Sequence, residues 1–358
     1  MKNLIRILSP EGVLEAEPDP TLTEGKLIQL MRDMVVSRVF DEWMLHIHPM
    51  GRVSRYAPAE GQEASMVGSA HALTELDWIF PTYREFPVLI ARGVPLVELE
   101  HRMFANERDI LKGHEITLYG DRNRRVVVGA GGVSLMAPVA VGLAMASQAK
   151  GEKSVSLVYM GDGATSKGDF HEAINFAGVF KPPVIFFCQN NQWAISVPVK
   201  LQTKAETLAD KAKAYGMPGV RVDGNDVMAV YTVVRRFVEE ARAGGGPAFI
   251  EAFTYRIGPH TTADDPKRYR SEEEVRYWRS LDPLDRMRRY LLKKGLWSEE
   301  LEREVIESFR DELRRATEEA ESTEAARPRV VLEDVYSTLQ WHIAEEIREL
   351  EEYAAGLR

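Results

Sequence analysis

The 358-residue sequence contains a single cysteine, Cys188, so no disulfide framework can hold the chain. Cys188 lies in an apolar run beside Phe186 and Phe187, which predicts a buried core thiol and not a nucleophile. Blocks of lysine and arginine are missing, and 46 basic against 55 acidic side chains leave a formal charge of −9. Without a basic face, binding to nucleic acid through its phosphates is not expected. No apolar run approaches the length of a membrane span, and the N-terminal stretch MKNLIRILSPEGVLEAEPDP turns acidic and proline-punctuated before any long apolar region forms. A soluble, intracellular and cytoplasmic chain is the expectation, with no membrane partner. Internal repeats and low-complexity tracts are also missing, and His46 and His48 are not at the i,i+4 spacing of a transition-metal site.

An apolar content of 44% is enough for a sizeable core. The stretch from Ser154 to Pro198, SVSLVYMGDGATSKGDFHEAINFAGVFKPPVIFFCQNNQWAISVP, organises the rest. It reads as a buried strand (155–160), a Gly-Asp-Gly turn, a helix over 168–180, a second buried strand (184–188) and an Asn-Asn turn. Two short strands rich in β-branched and aromatic residues, joined by a helix, are expected to be parallel neighbours with a right-handed crossover. Asp162 and Asn190/Asn191 then lie past the carboxyl ends of adjacent strands, where open α/β sheets bind ligands. Gly-Asp-Gly and Asn-Asn are also ordinary turn sequences. Placed together after the two strands of one unit, a carboxylate and amide carbonyls suit a hard cation such as Mg2+ that leaves positions for phosphate oxygens.

Around this unit, residues 1–22 form a loosely patterned arm and Thr23–Met50 a long helix with Thr23 as N-cap. A loop, YAPAEGQEA, feeds a small-residue helix ending near Leu73, and DWIFPTYR follows as a proline-containing turn. Residues 98–125 are polar and read as irregular. VVVGAGGVSLMA joins an apolar run to a glycine-rich turn, and a small-residue helix follows Pro138. Thr203–Tyr215 reads as helix, Val227–Ala243 as an amphipathic helix and Ala248–Tyr255 as a buried strand. This alternation predicts a doubly wound α/β fold with a mainly parallel sheet. The charged C-terminal part reads as helices over 272–280, 283–294 and 299–321, then, after a linker at 325–328, an amphipathic helix over 331–353. Three regions are expected: an arm and helix (1–55), a cofactor-binding α/β domain (56–270) and a helical extension (271–358).

The GDG followed by NN about thirty residues on matches the thiamine diphosphate signature. GDGATS, GDF and NNQWAIS, with YRIGPHTTADDPKRYR after the last strand, closely resemble the alpha subunit of the decarboxylating component of 2-oxo acid dehydrogenase complexes, of branched-chain and pyruvate type. The resemblance covers nearly the whole chain and implies the thiamine diphosphate-binding fold. It implies Mg2+ held by Asp162, Asn191 and the Trp193 carbonyl, and a diphosphate contacted by Tyr83, Arg84 and His260. Gly161, Gly163, Ala164 and Ile195 complete that end of the cofactor site, while Gly131 and Val133 match positions that receive and prop its pyrimidine end. His260, the proposed catalytic residue, stabilises an oxyanion or exchanges a proton. The implied reaction is decarboxylation of a 2-oxo acid, branched-chain favoured from SEEEVRYWRSLDPLDRMRRYLLKKGLW, with acyl transfer to the lipoyl group of a dihydrolipoyl acyltransferase. The glutamate that activates the cofactor belongs, in this family, to a separate beta subunit, so an α2β2 assembly is implied. A pyruvate or acetoin dehydrogenase alpha subunit remains an alternative. So does a non-catalytic assembling paralogue, because Lys167, Met136 and KGHEITLYG depart from the family pattern. Asp264, Asp265 and nearby arginines are expected to form an ion-pair clasp on the His260 loop.

Overall fold

Short, continuous apolar runs buried on both faces build the sheet. The computed structural model describes residues 4–53, 55–114, 118–327, 329–333 and 336–356. Among them the strands are β1 (Leu4–Ile5), β2 (Trp78–Phe80), β3 (Ser156–Gly161), β4 (Val184–Asn190), β5 (Trp193–Ala194), β6 (Val197–Pro198), β7 (Gly219–Asp223) and β8 (Ala248–Phe253). Six pair in parallel in the order β1-β7-β8-β4-β3-β2, while β5 and β6 form a separate antiparallel hairpin. The helices are α1 (Glu24–Ile47), α2 (Glu63–His71), α3 (Phe86–Ala91), α4 (Leu96–Phe104), α5 (Met136–Ala149), α6 (Gly168–Phe180), α7 (Val199–Gln202), α8 (Val227–Arg242), α9 (Glu272–Arg279), α10 (Pro283–Lys293), α11 (Glu299–Ser322), α12 (Val330–Glu333) and α13 (Trp341–Gly356).

Successive strand residues point to opposite faces, so one sheet serves two cores. Leu157, Tyr159, Ile185, Phe187 and Ile250 pack under α1, α2 and α8, whereas Val158, Met160, Phe186, Cys188 and Phe249 pack under α5 and α6. Each fully buried phenylalanine contributes about 2 kcal/mol of transfer free energy. Side-chain caps fix where the helices start: Thr23, Asp226, Ser271, Asp282 and Ser298 each accept a backbone N–H of the first turn. The doubly wound parallel sheet expected from the sequence is present. No helix among the described residues is long and apolar enough to cross a membrane.

The structure corrects several local readings. The N-terminal arm is anchored: Leu4–Ile5 forms β1 against β7, and the Ile7 and Leu8 N–H groups donate to Asp226 Oδ2 at 2.7 and 2.6 Å. Phe80 ends a strand where the sequence shows only a turn, because three residues are too few for a visible period. Thr203–Tyr215 is not one helix: a 3-10 turn spans Ala209–Tyr215, and Glu251 Oε2 accepts the Ala209 N–H that a continuous helix would have used internally. The C-terminal helix expected over 331–353 is divided into α12 and α13, with Asp334 and Val335 outside the described residues. In KGHEITLYG, Lys112–His114 form a turn and 115–117 lie outside the described residues.

The region 98–125 contains helix α4, whose apolar stripe Leu96, Leu99 and Met103 is interrupted in sequence by buried Glu100, His101 and Arg102. Arg102 pairs with Asp109 and donates to the Leu118 carbonyl, which fixes the following loop. Burial pushes the Glu100 carboxyl up from 4.5 to about 8, with Thr317 and Arg52 only partly opposing it. Between those values the unfolded chain has lost this proton and the folded chain keeps it, so stability declines as pH rises through the interval. Glu100→Gln is expected to raise the melting temperature at pH 8.5 and leave it nearly unchanged at pH 4.5. At about 1.4 kcal/mol per pKa unit, the difference is on the order of a few kcal/mol. Equal shifts at both pH values would refute this.

Candidate functional site

Strand register brings the polar residues to one end of the sheet. Gly161 of β3 pairs with Gln189 of β4, and Asn190 of β4 pairs with Phe253 of β8. The segments 162–164, 191–195 and 254–260 therefore leave the sheet side by side. Pleating separates the two asparagines: Asn190 Nδ2 donates to buried Glu251 at 2.7 Å, while Asn191 turns toward Asp162 and helix α2. Gly163 is required there, since a Cβ would lie 2.6 Å from the Ala194 side chain.

A cavity of about 220 Å³ results. Its lining includes Tyr83, Arg84, Val133, Gly161, Asp162, Gly163, Ala164, Asn191, Trp193, Ile195 and His260. Of the residues singled out from the sequence, Gly131 does not line it, and a Cβ at that glycine would meet open space. Gln62, Ser134, Gln189 and Arg256 line it as well, and sequence reasoning missed them. Arg256 and Gln189 carried a signal, as polar residues interrupting strand ends that are otherwise apolar. Gln62 and Ser134, inside loop sequences, carried none. Ser134 and Ile195 have φ of 70° and 55°, left-handed backbone that costs a β-branched residue most and that tends to occur at ligand-binding positions.

The chemistry of the lining calls for an acceptor-rich anion with a cation. Among the described residues, the buried atoms Gln62 Nε2, Ser134 Oγ, Gln189 Nε2 and Arg256 Nε have no hydrogen-bond partner. Arg84 and Arg256 pair with no carboxylate among the described residues; Arg84 donates to the Pro58 and His260 carbonyls, and Arg256 to the Ile195 carbonyl and Tyr269 hydroxyl. At the other side, burial pushes Asp162 up to about 6, offset in part by the Gln202 amide on Oδ2. One end of the Asn191 amide is 3.0 Å from Gln62 Oε1; the other is 3.1 Å from the Trp193 carbonyl oxygen and 3.2 Å from Asp162 Oδ1. With the amide oxygen at this second end, three oxygens face each other without a proton between them. Ligand oxygens around a small octahedral cation stand about 3 Å apart when bonds are about 2.1 Å. Mg2+ and a diphosphate thus fit the residues present.

His260 sits between the arginines. Arg84 Nη2 and Arg256 Nη1 approach its Nδ1 at 3.2 and 3.1 Å. Guanidinium groups only donate, so Nδ1 accepts and the ring proton is on Nε2. Burial first, then the charges of Arg84 and Arg256, push His260 down to about 3, with Asp264 opposing. Without bound anion His260 is expected to stay neutral from pH 8 to pH 4, read from its ring-proton NMR shifts; a titration near pH 6.5 would contradict this arrangement. The clasp on its loop is made of hydrogen bonds more than ion pairs. Asp264 accepts the His260 N–H and the Tyr269 hydroxyl, Asp265 caps Lys267, and Arg270 donates to the carbonyls of Arg256, Ile257 and Gly258. Lys167 pairs with Asp169 at 3.4 Å at the start of α6 and does not line the cavity.

Residues 31–329 match the model of the dehydrogenase E1 component. The chain is 46% identical over 321 residues to a 3-methyl-2-oxobutanoate dehydrogenase subunit alpha of Mycobacterium tuberculosis, covering 88% of this chain and 85% of that one. It is 41% identical over 346 residues to a pyruvate dehydrogenase E1 component subunit alpha of Staphylococcus aureus, covering 96% and 91% of the two chains.

Proposed function

Because the chain belongs to the dehydrogenase E1 component family, we propose that it is the alpha subunit of a thiamine diphosphate- and Mg2+-dependent 2-oxo acid dehydrogenase. It acts on a branched-chain 2-oxo acid and works with a beta subunit, in an α2β2 assembly, and with a lipoyl-bearing acyltransferase. When bound, thiamine diphosphate supplies the electron sink for decarboxylation and Mg2+ the charge that holds its diphosphate. The convergence of the Asp162 carboxylate and the Trp193 carbonyl on one end of the Asn191 amide, at 3.2 and 3.1 Å, is the observation that carries this reading.

Each side chain then has a definable task. Asp162 Oδ1, Asn191 Oδ1 and the Trp193 carbonyl hold the cation. Arg84, Tyr83, Gln189 and Arg256 present donors to phosphate oxygens, and Ala164 with Gly161 and Gly163 lets backbone approach them. Val133 and Ile195 give the cavity apolar walls, and the Gly131 turn precedes them. His260, neutral with its proton on Nε2, donates a hydrogen bond to a substrate oxygen as negative charge builds there. Its engaged Nδ1 and depressed pKa oppose the alternative task of removing a proton. The division into arm and helix (1–55), cofactor-binding domain (56–270) and helical extension (271–358) belongs to the same reading.

A partner fits the surface beside the cavity. Val133, Leu135 and Val139 lead from its mouth along α5, and Phe176, Val179 and Phe180 of the adjacent α6 are at least half exposed. Exposed apolar side chains at the cavity end of α5 and at the far end of α6 are of the kind that mark interfaces. The higher identity to the branched-chain relative favours branched substrates, and pyruvate is the second reading. With the assembled pair, 3-methyl-2-oxobutanoate is expected to be decarboxylated with a kcat/KM at least tenfold above that for pyruvate; the reverse order would assign the chain to pyruvate.

A further inference from the structure

Gln62 is fully buried, lines the cavity and is held by its own backbone, its N–H on the Ala59 carbonyl at 2.9 Å and its carbonyl under the Ser65 hydroxyl at 2.8 Å. Its side-chain amide meets the Asn191 amide head to head at 3.0 Å. Two oxygens, or two NH2 groups, cannot face each other at that distance, so the two amides can only turn together. In one arrangement Asn191 Nδ2 donates to Gln62 Oε1, Asn191 Oδ1 joins the Asp162 and Trp193 oxygens, and Gln62 Nε2 is left unpartnered among the described residues. In the other, Asn191 Nδ2 donates to Asp162 Oδ1 and the Trp193 carbonyl, and Gln62 must present its own nitrogen to Asn191. The Trp193 N–H, 3.3 Å from Asn191 Oδ1, supports the first and would face an NH2 group in the second.

We propose that Gln62 is a positioning residue that keeps the Asn191 oxygen turned toward the cation while its own Nε2 takes an oxygen of the diphosphate. One buried amide thereby ties metal coordination to phosphate recognition: the second arrangement removes a cation ligand and a phosphate donor together. This rests on the reading of the cavity as a Mg2+–diphosphate site.

The two halves of the role separate by substitution. In the assembled alpha–beta pair, Mn2+ affinity is measured by electron paramagnetic resonance at saturating thiamine diphosphate, and thiamine diphosphate affinity by calorimetry at saturating Mg2+. Gln62→Met, similar in volume and without polar atoms, is expected to weaken Mn2+ binding roughly 10–100-fold, the scale of lost support for a metal ligand, and to weaken the cofactor as well. Gln62→Glu has acceptors only, so it still orients Asn191 but offers the phosphate no donor; Mn2+ affinity is expected to be retained and thiamine diphosphate affinity to fall at least tenfold. Wild-type Mn2+ affinity in Gln62→Met overturns the proposal, as does loss of Mn2+ binding in Gln62→Glu, which carries the test alone if Gln62→Met does not fold. A purely structural role would lower melting temperatures without this split. Absence of Mn2+ binding in the wild-type pair would instead overturn the reading on which the proposal rests.

Discussion

Asp162→Ala, assembled with its partner, is expected to lose Mg2+-dependent thiamine diphosphate binding in calorimetry and at least on the order of a thousandfold in 2-oxo acid decarboxylation. Asp162 is the carboxylate of the three facing oxygens, so its removal leaves two neutral carbonyls that bind a divalent cation far less well. The folded state should tolerate the change. Burial already raises this carboxyl to about 6, which means that without a cation the charge is held at a cost. Loss of the Gln202 contact works in the opposite direction, so the melting temperature is expected to move by only a few degrees. Undiminished cofactor binding in Asp162→Ala would remove the metal assignment altogether.

The isolated alpha chain is expected to decarboxylate nothing, and activity should appear on titration with the beta subunit and saturate at one partner per alpha chain. Among the described residues, the carboxylates lining the cavity are Asp162 and Glu85. Asp162 is the carboxylate of the proposed cation site, and Glu85 accepts the Thr82 N–H and hydroxyl, which occupies it in starting α3. Neither is free to activate the cofactor from the Val133 side, where the cavity opens beside exposed apolar residues. Full turnover by the purified chain alone would rule out a divided active site.

The sheet and the placing of Asp162 and Asn191 together at one end of the cavity were legible because their signals are local. Buried strands such as 184–188 are continuous apolar runs, and Asp162 and Asn191 follow strand ends within one strand–helix–strand unit. What was not legible depends on contacts distant in sequence. Gln62 gains its significance only by meeting Asn191, and Arg256 only by sharing His260 Nδ1 with Arg84. Helix α4 was hidden because Glu100, His101 and Arg102 are buried where periodicity reads such polar residues as exposed, and β1 because two residues carry no pattern until β7 is beside them.

The arm that β1 begins has a consequence for synthesis. Leu4 and Ile5 close the sheet edge at Arg221 and Val222, and Ile7 meets Asp226 across 219 positions of sequence. At about 5–20 residues per second, these residues leave the ribosome roughly 10–40 seconds before their partners are made. Through that interval the arm must stay extended without pairing elsewhere, and Pro10, Pro18 and Pro20, which cannot donate to a β ladder, suit it to waiting.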